Sequence, residues 1–116
     1  MEELISHVFA MRDAAHKAHW ATDSYSQHQA LGAFYDGLID IVDPLVEAYQ
    51  GLYGLVGNIN PKALPKGEIK NTIKTEMMFL MNTRSAVSKN NPTLENMVDA
   101  LIELYMTTLY KLTNLK

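Results

Sequence analysis

Apolar residues recur at intervals of three and four in four separate segments of this sequence, and that period constrains the fold more than any other feature. Such spacing places apolar side chains on one face of an α-helix, and no segment shows the two-residue alternation of a strand. The pattern predicts helices over residues 2–22, 27–50, 68–89 and 94–114. Because 116 residues suffice for one domain, we expect a single all-α domain over residues 1–116, a four-helix bundle.

The segments between the predicted helices carry turn signals. Ser26, with Gln29 three residues later, predicts a capping box at the start of the second helix. Gly51 is a suitable stop for that helix, and Thr93 can cap the fourth. The second connection, residues 52–67, is long enough to return along the whole bundle, since about 15 extended residues reach roughly 50 Å. Its length therefore permits a ferritin-like crossover but does not exclude a simple up-and-down bundle.

The composition excludes several classes of function. There is no cysteine, which rules out disulfides, thiolate metal sites and cysteine nucleophiles, so any metal must be held by histidine, carboxylate, backbone or water. No run of 18 apolar residues occurs, and the first residues are acidic where a signal peptide needs bases. The net charge of −3 gives no general attraction to nucleic acid. We expect a soluble, cytoplasmic protein.

The acidic residues are unevenly distributed. Residues 1–60 carry eight acids against two bases, and a stripe of four of these acids lies on the second predicted helix. The stripe consists of Asp36, Asp40, Asp43 and Glu47, spaced four, three and four apart, which places them within an arc of about 60°. Like charges at this spacing destabilise a helix, and residues 27–50 contain no lysine or arginine. The stripe is either a solvated face or a site where a metal ion supplies the missing positive charge.

All four histidines lie within the first 28 residues. His19 is on the apolar face of the first helix, and His28 lies near the start of the second. A single histidine in such a position is usually a core residue. Two of them on adjacent helices, followed by acids, form a possible ligand set for Fe(II), Mn(II) or Zn(II). The Glu-x-x-His motif of common di-iron bundles does not occur.

The segment from residue 17 to residue 51 resembles the ferroxidase segment of the Dps proteins, the miniferritins of the ferritin-like superfamily. The resemblance consists of the His19-Trp20 pair, His28, then Asp43 fifteen residues later and Glu47 four after that. It implies that iron is bound by His19 and His28 of one subunit with Asp43 and Glu47 of a two-fold-related neighbour.

By the same resemblance, the protein would be a homo-oligomer, at least a dimer and up to a shell of twelve subunits. It would bind and oxidise Fe(II), with hydrogen peroxide as the usual oxidant, and would store the iron or detoxify peroxide. A second apolar strip on the first helix, consisting of Ile5, Phe9 and Trp20, is what a subunit interface there would require. Trp20 corresponds to a tryptophan close to the family's site, and it is equally interpretable as a residue that packs in the bundle.

Three features depart from the family pattern. The interval of nine residues between His19 and His28 is shorter than the usual twelve, and Gly32 stands where the family tends to place an acid. Asp36 or His16 could compensate for that missing ligand. The chain is also shorter than usual members and has no lysine-rich tail, so we do not expect DNA binding. Lysines 66, 70 and 74 could line a helix face, which is more typical of a solvated surface than of a phosphate-binding one. The alternative function is a non-enzymatic helical oligomer or interaction module whose metal site has decayed.

Overall fold

The computed structural model describes residues 1–63 and 66–116. It contains four helices: α1 (Glu2–Ala21), α2 (Tyr25–Tyr53), α3 (Ile69–Val87) and α4 (Pro92–Asn114). No strand is present in the described ranges. The prediction of an all-α four-helix bundle is confirmed, and the observed bounds of α1, α3 and α4 differ from the predicted ones by at most two residues.

The ends of α2 and the start of α4 differ from the predicted capping positions. Ser24, not Ser26, caps α2, because its side chain accepts a hydrogen bond from the backbone N–H of Gln27. The helix continues past Gly51 to Tyr53 and ends at Gly54, whose φ of 91° favours glycine. Asn91, not Thr93, caps α4 through its own side chain. In both caps the polar side chain that precedes the helix satisfies a free N–H of the first turn.

The core consists of the predicted apolar stripes of all four helices. Side chains that are at most 1% exposed are spread along the whole bundle. They include Leu4, Val8, Met11, Ala15, Leu31, Phe34, Leu38, Leu45, Ile73, Val98 and Leu101. The Phe34 and Tyr105 rings meet edge to face, with centroids 5.0 Å apart. Burial of these side chains is the main stabilising contribution, about 1.5–3 kcal/mol for each large one.

Contacts between the described residues place α1 next to α2 and α3, and α4 next to the same two helices. Neighbours are antiparallel. Ser26, at the start of α2, donates a hydrogen bond to the carbonyl of Leu115 just beyond α4. His7, near the start of α1, stacks on Phe79 in the second half of α3. It follows that α2 and α3, which occupy opposite corners, run in the same direction.

This arrangement requires the connection between α2 and α3 to travel the length of the bundle. Its first part lies beside the start of α1, where the Ser6 hydroxyl donates to the carbonyl of Asn60. Its last part, at Gly67, shares a cavity with Ala18 and Ala21 at the end of α1. The chain therefore has the single long crossover that distinguishes ferritin-like bundles from up-and-down bundles.

Candidate functional site

The turn between α1 and α2 brings the two predicted metal-binding histidines together. His19 is in the last turn of α1 and His28 in the first turn of α2, with three residues between the helices. Thr22 and Gln27 join their side chains across this turn by a hydrogen bond of 2.8 Å. The short turn is what allows histidines nine residues apart in the sequence to face each other.

Each histidine is hydrogen bonded to the backbone of the other. The His19 Nδ1 atom lies 2.6 Å from the carbonyl oxygen of His28, and the His28 Nδ1 atom lies 2.8 Å from that of His19. A carbonyl can only accept, so both Nδ1 atoms carry the proton and donate. In the neutral rings, Nε2 then holds the lone pair. The His19 carbonyl is one of the last four of α1, which have no partner within the helix, so His28 also caps α1.

The two imidazole rings are stacked. Their centroids are 3.6 Å apart and their planes differ by 17°. Stacking and the two hydrogen bonds together fix the orientation of both rings. A histidine that binds a metal ordinarily donates its other ring N–H to a carbonyl or a carboxylate, which is the arrangement found here at both rings.

Gly32 lies directly against the His19 ring. A Cβ atom at this position would be 3.1 Å from Cε1 and 3.3 Å from Nδ1 of that ring, closer than ordinary van der Waals contact. The glycine therefore provides the space that the ring occupies. An acidic side chain at position 32, which the miniferritin pattern favours, does not fit unless His19 moves.

A cluster of ring side chains on α1 and α2 lies next to the histidine pair. The His16 ring stacks on Tyr35 with centroids 4.2 Å apart, and the Trp20 ring lies at the same distance from His16. Trp20 is 70% exposed, so the interpretation that it packs inside the bundle is wrong. The Phe9 side chain of the same apolar strip is also exposed, whereas Ile5 is buried.

The acidic stripe lies elsewhere on α2. Asp36, Asp40, Asp43 and Glu47 are all exposed. Asp43 is fifteen residues beyond His28, which is about 22 Å along a helix axis. The structure thus brings His19 and His28 together and leaves Asp43 and Glu47 distant from them within one chain. Among residues 1–63 and 66–116, no three side chains of the ligating types converge on one point.

A histidine–carboxylate contact between α1 and α3 was not predicted from the sequence. The His7 Nδ1 atom lies 2.5 Å from Oε2 of Glu76, and the Glu76 residue is only 7% exposed. Glu76 follows Ile73 by three residues and precedes Leu80 by four, so it falls on the apolar stripe of α3. A carboxylate on a buried stripe is the signal that predicts such a pairing.

An ion-paired cluster joins α3 to α4. Arg84 donates to both carboxylate oxygens of Asp99, at 2.5 and 2.8 Å, and to Glu95 at 3.1 Å. The hydrogen bond from Arg84 lowers the pKa of Asp99, partly opposed by desolvation. This cluster lies between the last turn of α3 and the first two turns of α4, and it contributes to the hairpin rather than to the histidine site.

The structure is thus a four-helix bundle with one long crossover between α2 and α3 and a histidine pair in the turn between α1 and α2. The chain belongs to a family of unknown function, DUF5856, which it matches over residues 19–112. All four predicted metal ligands fall within that range. Comparison with curated proteins and with solved structures finds no match. None of the described helices is long and apolar enough to cross a membrane.

Proposed function

We propose that the protein is a miniferritin-like homo-oligomer that binds Fe(II) through His19 and His28 of one copy and Asp43 and Glu47 of a second copy. The observation that carries this proposal is the pair of reciprocal Nδ1–H hydrogen bonds. These bonds leave the Nε2 lone pair of each imidazole to coordinate a metal ion. Neutral imidazoles combined with carboxylates suit Fe(II). The proposal includes the cytoplasmic location expected from the sequence.

The need for a second copy follows from the geometry of α2. The carboxylates are about 22 Å from His28 along the helix, too far to reach the same ion. Fifteen residues turn a helix by a net angle of about 60°, so both groups lie on one side of α2. A two-fold axis near the middle of α2 would set two copies of this helix antiparallel, with the histidines of one opposite the carboxylates of the other. The exposed Phe9 and Trp20 side chains provide apolar area for such an interface.

The proposed chemistry is oxidation of bound Fe(II), with peroxide as the oxidant and the ferric product retained by a larger assembly of up to twelve copies. The protein's own contribution is to orient the two imidazoles and to supply anionic oxygen ligands, which favour the ferric state. Gly32 supplies no side-chain ligand, so the site has one carboxylate fewer than the miniferritin pattern.

A second candidate function is a helical oligomer or interaction module without metal chemistry. It is favoured by one observation: His28 satisfies a free carbonyl at the end of α1, which is a sufficient structural reason for the histidine pair. In this interpretation the pair closes the turn, and the acidic stripe is a solvated face.

Anaerobic Fe(II) titration, combined with mass measurement of the native oligomer, separates the two functions. Asp43 and Glu47 are exposed, so Asp43→Asn and Glu47→Gln leave the fold intact. Asp40→Asn, on the same exposed stripe, is the matched control. We expect the first two variants to weaken Fe(II) binding by about tenfold to a hundredfold and the control to leave it unchanged. Equal Fe(II) binding by all three variants and the wild type would refute the proposed site.

A further inference from the structure

A cavity of about 370 Å³ opens between the start of α1 and the connection that follows α2. Its lining includes His7 and the side chains around it: Glu2, Glu3, Ser6, Asn58, Asn60 and Lys62. The cavity is distant from the α1–α2 turn, since α1 extends fourteen residues beyond His7. His7 takes no part in the proposed iron site, so an inference about it is independent of that proposal.

The His7 ring is held on two sides. Its Nδ1 atom is 2.5 Å from the buried Glu76 carboxylate, and its face stacks on Phe79 with centroids 3.6 Å apart and planes within 7°. An ionised carboxylate can only accept, so Nδ1 donates to it. The arrangement fixes both the rotation of the ring and its tautomer, and the neutral ring then has its lone pair on Nε2.

The Nε2 atom of His7 lies 3.8 Å from Oε1 of Glu3, one helical turn earlier on the same face of α1. This separation is too long for a direct hydrogen bond. It is the right separation for two ligands of one ion, since two bonds of about 2.1 Å that meet at an angle of about 130° span the same distance. Glu3 is exposed and free to rotate, so the angle is adjustable toward a tetrahedral one.

The local charges favour a cation at this position. Glu2 and Glu3 line the cavity and the Glu76 carboxylate lies behind the ring, while Lys62 is the basic side chain of the lining. A carboxylate that accepts from one ring nitrogen of a histidine raises the basicity of the other nitrogen. The side-chain amide oxygens of Asn58 and Asn60 in the same lining are of a type that can complete a coordination sphere together with water.

We propose that His7 Nε2 and the Glu3 carboxylate bind one divalent transition-metal ion of the Zn(II) class, with Glu76 as the positioning residue that orients His7. The ion would lie in the cavity beside the crossover, bound to the first two turns of α1. In this arrangement the buried Glu76 carboxylate would accept the Nδ1–H of His7 and would also balance part of the ion's charge through the imidazole.

Zn(II) titration of the full chain, followed by calorimetry and by the NMR signals of the individual imidazoles, tests the proposal. We expect Zn(II) to shift the His7 signals. Glu3→Gln, at an exposed position, should lower the Zn(II) affinity of this site at least tenfold, and Glu76→Gln by about tenfold to a hundredfold. Glu103→Gln, an exposed glutamate on α4, is the matched control and should change nothing.

Two results would overturn the site. One is His7 signals that stay unmoved by millimolar Zn(II). The other is equal Zn(II) affinity in Glu3→Gln and Glu103→Gln. His7→Gln should abolish Zn(II) binding at this site and leave the α1–α2 turn unaffected, and if that variant does not fold, the exposed Glu3 variant still decides the question. The His19 and His28 signals report separately on the α1–α2 turn, so failure of one site is distinguishable from failure of the other.

Discussion

The contact between Gly32 and the His19 ring is testable by two glycine substitutions in the same helix. Gly32 and Gly51 are both within α2, where replacement of glycine by alanine ordinarily stabilises a helix by up to about 1 kcal/mol. A Cβ atom at Gly51 meets nothing within 4 Å, whereas one at Gly32 meets His19 at 3.1 Å. Gly51→Ala therefore measures the helix propensity alone, and Gly32→Ala measures the same gain minus the cost of displacing the ring.

The cost at Gly32 follows from the restraints on His19. The ring would have to move by a few tenths of an ångström, yet it stacks on His28 at 3.6 Å and donates to a carbonyl at 2.6 Å. Weakening one such hydrogen bond costs about 0.5–1.5 kcal/mol. We expect Gly51→Ala to raise the free energy of unfolding by about 0.5–1 kcal/mol and Gly32→Ala to leave it unchanged or lower it.

Urea denaturation followed by far-UV circular dichroism measures the difference. With a slope of about 2 kcal/mol/M for a domain of this size, the midpoints of the two variants should differ by about 0.25 M or more. The imidazole NMR signals of His19 and His28 should shift in Gly32→Ala and stay unchanged in Gly51→Ala. If Gly32→Ala raised the midpoint as much as Gly51→Ala does, the ring would not be held as described and the role of the glycine would be refuted.

Three further predictions concern the core and the α3–α4 hairpin. Leu38 is fully buried, so Leu38→Ala should lower the free energy of unfolding by about 2–5 kcal/mol in the same urea assay, and a smaller loss than about 1 kcal/mol would contradict its burial. Burial, with the charge of Glu76, raises the pKa of Tyr105 above its ordinary value of 10.0. Only the unfolded chain then ionises this hydroxyl above about pH 10, so stability should fall with rising pH there, and Tyr105→Phe should reduce the fall. Arg84 lowers the pKa of Asp99 below 3.8, so the pair contributes stability above that pH that is lost in acid. Asp99→Asn should flatten the stability profile between pH 4 and pH 2 relative to the wild type, and an unchanged slope would show that the pair contributes nothing.

Periodicity in the sequence was enough to predict the helices and their buried faces. Leu31, Phe34 and Leu38 follow the three- and four-residue spacing within α2, and each is fully buried. The acidic stripe was likewise predicted to share one face, and its four members are all exposed. These features are local, because the 3.6-residue period of a helix fixes which side chains point the same way before any tertiary contact forms.

The caps show where local reasoning has less power. Ser24 and Ser26 are both suitable capping residues, and the sequence pattern alone selected the wrong one. The choice depends on how the turn closes, and here Thr22 and Gln27 hydrogen bond across it while His28 binds the end of α1. A competition between two acceptable local solutions is decided by contacts that the local pattern does not contain.

By itself, the sequence thus determined four helices, one core and a candidate pair of histidines with distant carboxylates. Only the tertiary structure decided that the connection after α2 is a crossover, since its length permitted either topology. The same holds for the space that Gly32 gives to His19 and for the pairing of His7 with Glu76, 69 residues apart. Contacts at such separations depend on how the helices pack together, and that packing is set by the burial of all four apolar faces at once rather than by any one segment.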